Sequence, residues 1–307
     1  MQETLNDPSA GPERTGYVAI AGKPNVGKST LLNALLGQKI AAVTYRPQTT
    51  RKQQLGILTR SRSQAIFIDT PGIHQAFHLL GERMNAEAAA ALEDADLVLI
   101  LIDAARPPDE DDRRLAAAIA EHAGTVHKLL VFNKIDQASP ETLEEHIRDF
   151  TGIFPEIDSL RISALRGDHL EDLVAAIFAA LPEGPPFFPA DQVTDLFERE
   201  ITADLIREAA LLNLRDEVPH SMAVRIDQFK ERGDTGAYIE ATLFVERDSQ
   251  VGIVVGAGGE MLKRIGTHAR KEVEAMSGRK VHLQLRVKVR KNWRGDPGTL
   301  DKFGFSK

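Results

Sequence analysis

Residues Gly22, Lys23, Pro24, Asn25, Val26, Gly27, Lys28 and Ser29 fit the pattern G-x-x-x-x-G-K-[ST] at every specified position. Gly22 and Gly27 let the backbone turn tightly, so that successive N–H groups face a concavity suited to a polyphosphate. The Lys28 ammonium supplies a point charge between the outer phosphates, and the Ser29 hydroxyl is a ligand for Mg²⁺. The surroundings agree with this chemistry. Tyr17 to Ile20 is an apolar run that predicts a buried strand, and Thr30 to Leu36 changes to a helical pattern. Asn25, Val26 and Thr30 complete the expected phosphate cradle.

Two further stretches supply groups for the outer phosphate. Asp69-Thr70-Pro71-Gly72 follows a short apolar run forty residues after Ser29. Asp69 at a strand end holds Mg²⁺ directly or through water, and the Gly72 N–H senses the terminal phosphate. Gln38 to Arg51 has no sustained periodicity and carries the pair Thr49-Thr50. A mobile loop there closes over the phosphate, with Thr50 preferred over Thr49 as metal ligand. The metal set is therefore Ser29, Thr50 and Asp69, and the groups assigned to hydrolysis are Lys28, Thr50 and Gly72.

Asn133-Lys134-Ile135-Asp136 is the most discriminating stretch. The Asp136 carboxylate accepts from the paired N1–H and 2-amino donors of guanine, which adenine does not offer. Asn133 bridges toward the phosphate loop, and the Lys134 stem covers the ring. Ser163, Ala164 and Leu165 bring backbone to the guanine carbonyl. These groups require elements that converge at one edge. Short apolar strands alternating with helices predict an α/β P-loop GTPase domain with a mostly parallel sheet and ligand loops at its C-terminal edge. The expected ligands are GTP or GDP with Mg²⁺.

The 307-residue length suggests two domains. We expect a disordered leader at 1–15, the nucleotide domain at 16–181 and a proline-rich linker at 182–190, with the second domain at 191–307. That domain is expected to open on an amphipathic helix at 191–214, with Val193, Phe197, Ile201, Leu205 and Leu212 on one side. Two strands, at 223–229 and 237–245, are separated by a turn over 230–236. Gly256, Ala257, Gly258 and Gly259 form a GxxG loop between helices, which brings N–H groups close to a nucleotide backbone. In the final strand, Val281 to Val289 alternate with His282, Gln284, Arg286, Lys288 and Arg290, giving one apolar and one basic face. This order is that of a smaller α+β type II KH domain. The expected RNA contacts are the GxxG loop with Lys263, Arg264, Arg286, Lys288, Arg290 and Lys291. Trp293 either stacks on a base or packs against its own domain.

Charge supports this division. The chain carries a net −7, yet residues 279–307 hold nine Lys or Arg against two Asp. A basic end on an acidic body localises a polyanion-binding surface. The chain contains no cysteine, which excludes disulfides, thiolate metal sites and cysteine nucleophiles. The apolar run Leu97 to Ile102 is far short of the ~18 residues that a membrane span needs, and a cytoplasmic protein is expected.

The stretches GKPNVGKSTLLN, RPQTTR, DTPGI, FNKID and SAL, with EVPHSMAV, VGIVVGAGGEMLKRIG and VKVRKNWR, together resemble the bacterial Era GTPases over roughly Gly16 to Phe305. The resemblance implies GTP hydrolysis, binding of the 3′ end of small-subunit (16S) rRNA, and assistance to 30S subunit maturation. It also implies partial association with the cytoplasmic face of the cell membrane and a monomer off the ribosome. Two positions depart from the family pattern. Ala257 stands where GKGG loops carry lysine, a loss that Lys263, Arg264 and the basic strand are expected to offset. HQAF at 74–77 replaces a stretch that more often holds lysine and proline. Ile73 cannot orient water as a glutamine would, so slow turnover is expected. Asn25 either helps hold K⁺ beside the phosphates, as in related GTPases, or only braces the loop. The rival readings are an RNA-binding scaffold whose nucleotide is chiefly structural, or another single-domain-type GTPase related to the ribosome or tRNA.

Overall fold

The computed structural model describes residues 13–44, 50–51, 53–72, 76–215, 217–232 and 236–305. Residues 1–12 of the expected leader, Thr49, Ile73, His74, Gln75, the centre of the 230–236 turn and Lys307 lie outside the described residues.

The first domain runs β1 (Thr15–Ala21), α1 (Lys28–Leu36), β2 (Gln54–Arg60), β3 (Ser63–Asp69), α2 (Leu79–Glu93), β4 (Leu97–Asp103), α3 (Glu110–His122), β5 (His127–Asn133), α4 (Pro140–Ile153), β6 (Ser159–Arg161) and α5 (Leu170–Ala180). The strands form one sheet in the order β2-β3-β1-β4-β5-β6, parallel except for β2. A strand covered on both faces reads as a continuous apolar run, which is why β4 is LVLILID. Its alternate residues serve two layers. Leu97, Leu99 and Leu101 join Leu31, Leu173 and Ile177 beneath α1 and α5. Val98, Ile100 and Ile102 join Leu115, Ile119 and Phe150 beneath α3 and α4.

The second domain runs α6 (Glu198–Asn213), β7 (Ala223–Arg232), β8 (Gly236–Val245), α7 (Asp248–Val255), α8 (Glu260–Ser277), β9 (Lys280–Val289) and α9 (Pro297–Lys302). Its sheet is β7-β8-β9, with β7 and β8 antiparallel and β8 and β9 parallel. Ile265, Ala269 and Val273 on α8 are fully buried against Leu205, Ile239 and Leu243. The chain is therefore an α/β P-loop domain followed by a smaller α+β domain of KH type.

Three sequence expectations need correction. The leader does not extend to residue 15: Thr15 pairs with Gln64 in the sheet, the Arg14 N–H donates to Ser63 Oγ at 3.0 Å, and its guanidinium donates to the Leu181 carbonyl at 2.5 Å. The helix expected from 191 begins at Glu198. Residues 193–195 instead run along the edge strand β2, where the Ile57 N–H donates to the Val193 carbonyl at 2.8 Å and Thr194 Oγ1 to the Leu55 carbonyl at 2.7 Å. That cover satisfies a sheet edge that would otherwise present unpaired backbone. Phe197 consequently stands outside the apolar stripe and is 78% exposed.

The two domains share a small core. Leu80 and Met84 of α2 pack with Ala223, Phe244, Trp293, Leu300, Phe303 and Phe305. Trp293 is fully buried and its indole N–H donates to the Ser221 carbonyl at 2.8 Å, so packing is its role here. Arg83 of α2 reaches Asp301 at 2.6 Å and also donates to the Phe305 carbonyl. Among the described residues no helix is long and apolar enough to cross a membrane.

Candidate functional site

The ends of β1, β3, β4 and β5 deliver their loops to one cleft of about 430 Å³, lined by Asn25 to Thr30, Thr50, Gly72, Asn133, Lys134, Asp136, Ala164 and Leu165. Gly27 caps α1 at φ 107°, a left-handed conformation, and a Cβ there would lie 2.4 Å from Asn133 Nδ2. Gly22 serves a different need from the one its motif position suggests. Its backbone is not left-handed; a Cβ would meet the Leu101 carbonyl at 2.7 Å, so it permits close packing of the loop on β4. Gly72 closely approaches Pro24, whose nitrogen would lie 2.8 Å from an added Cβ.

The Lys28 ammonium is curled inside the loop, donating to the Gly22 and Lys23 carbonyls at 2.9 and 3.0 Å. Burial pushes it down to about 8, and the nearby Asp69 charge only partly opposes that fall. Burial likewise raises the Asp69 carboxyl, against the pull of Lys28 and hydrogen bonds from Ser29, Thr50 and Gln54. Ser29 Oγ lies 2.9 Å from Thr50 Oγ1 and 3.0 Å from Asp69 Oδ2, and Thr50 Oγ1 lies 3.3 Å from the same carboxylate oxygen. Adjacent ligands of an octahedral Mg²⁺, at ~2.1 Å from the metal, stand about 3 Å apart. The three oxygens therefore fit that ion, and Asp69 Oδ1 is buried with no hydrogen-bond partner among the described residues.

At the base end, Asn133 Nδ2 donates to the Val26 carbonyl at 2.8 Å while its Oδ1 accepts from the Ala164 N–H at 2.9 Å. The Ala164 N–H expected at a base carbonyl thus orients Asn133. Ser163 is fully buried and donates to Asp136 at 2.6 Å, with Arg166 3.8 Å from the other carboxylate oxygen. Lys134 takes the left-handed φ of 65° and ties its ammonium to the Asn25 carbonyl and Asp103, both at 2.7 Å. It braces the phosphate loop as well as offering its stem to the cleft. Leu165 is 74% exposed at the cleft wall.

Sequence reasoning missed Asp103, Lys23 and Gln54. Asp103 ends β4, and an acid at the C-terminal end of an interior strand was the available signal. Lys23 bonds Asp109 at 2.8 Å and Asp112 at 2.6 Å, fixing the start of α3 to the loop. Gln54 donates to Asp69 across the β2–β3 pair at 3.3 Å; nothing in its sequence neighbourhood marks it.

In the second domain, Gly256, Gly258 and Gly259 all have positive φ, and Ala257 sits exposed between them. Lys263 and Arg264 are exposed on the first turns of α8 beside that loop. Ile253, 51% exposed on α7, adds an apolar surface that sequence reasoning missed. The basic strand is placed differently. Leu283, Leu285, Val287 and Val289 pack toward the helical side, so strand alternation turns His282, Arg286 and Lys288 to the opposite face of the sheet. There Arg286 pairs with Glu240 at 3.4 Å and His282 stacks on Tyr238 with ring centroids 5.4 Å apart. Arg290 donates to Thr299 Oγ1 at 2.8 Å, and Lys291 lies 3.9 Å from Asp248. Of the cations expected to offset Ala257, Lys263 and Arg264 adjoin the loop, whereas Arg286 and Lys288 face the other side of the sheet.

Comparison with known proteins agrees with this arrangement. A family described as 50S ribosome-binding GTPase matches residues 17–134, and a KH domain family matches residues 217–294. GTPase Era of Geobacter metallireducens is 44% identical over 299 residues, covering 97% of this chain and all of that protein. GTPase Era of Heliobacterium modesticaldum is 42% identical over 95% of this chain and 97% of its own. A crystal structure of Era with MgGDPNP and nucleotides 1506–1542 of 16S ribosomal RNA superposes with a TM-score of 0.90 at 38% identity, covering 96% of this chain and 100% of that one. A variant of Aquifex aeolicus Era bound to GDP·AlF₄⁻ gives 0.89 at 38% identity, with the same coverage. The chain belongs to the Era family of GTPases.

Proposed function

We propose that this protein is a GTP-hydrolysing switch that binds the 3′ end of small-subunit rRNA through its KH domain and assists 30S maturation. The observation that carries the reading is the convergence on buried Asp69 of Ser29 and Thr50, which line the cleft that also holds Asn133 and Asp136. Bound Mg²⁺ would be held by Ser29 and Thr50, with Asp69 directly or through water, and would neutralise charge on the outer phosphates. Lys28 and the N–H groups of residues 25–30 position the triphosphate and stabilise charge on the transferring phosphoryl group. Asp136 selects guanine. Ile73 carries no hydrogen-bonding group to orient water, so turnover is slow.

RNA is taken at the loop from Gly256 to Gly259 with Lys263 and Arg264. Arg286, Lys288, Arg290 and Lys291 contribute from the other face and rim of the sheet to long-range attraction of the polyanion. Asn25 supports a K⁺ role by its place in the cleft and a bracing role by its carbonyl contact to Lys134; comparing hydrolysis in K⁺ and Na⁺ decides between them. Membership in the Era family supports a cytoplasmic protein, peripheral on the membrane, and a monomer off the ribosome. The test is phosphate release from GTP and from ATP, each with Mg²⁺ and with chelator. Release from GTP alone and only with Mg²⁺ is expected; equal ATP turnover would sink the assignment.

A further inference from the structure

Arg51 follows Thr50 directly, yet its side chain belongs to the other domain. It is 4% exposed, and its guanidinium donates to the Met222 carbonyl and to the His220 carbonyl, both at 2.7 Å. Its Cζ stands 5.7 Å from the centroid of buried Trp293, within cation–π range. The adjoining Thr50 hydroxyl lies against Ser29 and Asp69. Neighbouring Cα atoms are ~3.8 Å apart, so Thr50 cannot leave this position far without drawing the guanidinium from its socket.

A buried guanidinium is stable only while its donors are satisfied. Here Nη1 and Nη2 donate to neutral carbonyls, Nε has no partner among the described residues, and Asp204 and Glu246 lie near it as well as Arg207 and Arg294, so a displacement that broke the two carbonyl bonds would leave the guanidinium buried with none. The same loop is held again at its start. Lys39 reaches Glu208 of α6 at 2.9 Å and Glu272 of α8 at 2.7 Å. α8 is the helix that begins at the GxxG loop. Lys39 and Arg51 are thus both fixed to the KH domain.

We infer that Arg51 is a positioning residue for hydrolysis: seated in the carbonyl and Trp293 socket of the KH domain, it holds the Thr50 hydroxyl at the metal position. This rests on the function proposed above. Its consequence is that docking of the KH domain sets how well the nucleotide site holds Mg²⁺ with GTP.

The test compares wild type with Arg51→Ala, Arg51→Lys and Thr50→Ala, and with Arg51→Ala combined with Thr50→Ala. GTP hydrolysis and binding of a non-hydrolysable GTP analogue are followed against Mg²⁺ concentration, with GDP affinity as a control. Arg51→Ala should lower kcat about tenfold or more and raise the Mg²⁺ needed for half-maximal effect, because small misplacements of a reacting constellation carry such costs. Arg51→Lys, which keeps the charge but loses the paired donors, should fall between, and it serves alone where the alanine variant does not fold. In the Thr50→Ala background, removing Arg51 should change neither quantity further. Wild-type behaviour of the Arg51 variants, or an undiminished effect without the Thr50 hydroxyl, would overturn the inference. A wild-type protein without Mg²⁺-dependent GTP hydrolysis would instead overturn the proposed function.

Discussion

Asn133 on β5 and Val26 in the phosphate loop are joined by a hydrogen bond of 2.8 Å from the side-chain amide to the backbone carbonyl. The other end of the same amide accepts from Ala164, so the base-reading loops and the phosphate loop are braced as one unit. Asn133→Ala leaves two buried backbone groups without partners, at about 1–3 kcal/mol each. We expect nucleotide affinity to fall by about 10- to 100-fold by calorimetry. A change within about twofold would show that the brace is dispensable.

Lys28 gives a pH dependence with a defined sign. Its folded-state value of about 8 lies below the ordinary 10.5. Between these, the unfolded chain binds more protons than the folded one, so stability of the nucleotide-free protein rises with pH across that window. Measured against Lys28→Met, the wild type should gain about 2 kcal/mol between about pH 7.5 and about pH 9.5. Parallel stability curves for the two proteins would contradict the burial of this charge.

Ala257 leaves the GxxG loop without a cation of its own. Ala257→Lys should tighten single-stranded RNA binding several-fold at low salt and steepen its salt dependence, with a slope change of about one in log–log terms. Removing both Lys263 and Arg264 should weaken binding more than removing both Arg286 and Lys288, because only the first pair adjoins the loop. The reverse ranking would place the RNA on the open face of the sheet.

Trp293 fills the small core shared by α2 and the KH domain. Trp293→Ala should cost about 3–5 kcal/mol in chemical denaturation, in the range of large core truncations. Because the lost contacts include Arg51, it should also raise the Mg²⁺ requirement for GTP binding. A stability loss under about 1 kcal/mol would show that this core is not formed in solution.

The sequence made the nucleotide site legible because its groups are local. Gly27, Lys28 and Ser29 are consecutive, and Asn133 to Asp136 follows an apolar strand whose direction fixes where the side chains emerge. The metal hydroxyl of Thr50 was legible only through its order in the chain. Arg51 was not legible, since its partners are backbone carbonyls 169 and 171 residues away, which no side-chain pattern announces. Phe197 was misplaced because helical spacing continues back through Val193, whereas pairing to β2 keeps that stretch extended until Glu198. On β9 the alternation correctly separates apolar from basic residues, but periodicity cannot say which face the GxxG loop shares.

Arg51 and Lys39 make the contacts across the interface through which the nucleotide state would govern the RNA-binding domain. The direct measurement is affinity for a single-stranded RNA matching the 3′ end of small-subunit rRNA, beside a scrambled RNA, at fixed salt with GDP and with a non-hydrolysable GTP analogue. Tighter, sequence-dependent binding with the GTP analogue is the predicted result. Equal affinity in both nucleotide states would contradict it and leave the protein an RNA-binding scaffold with a structural nucleotide.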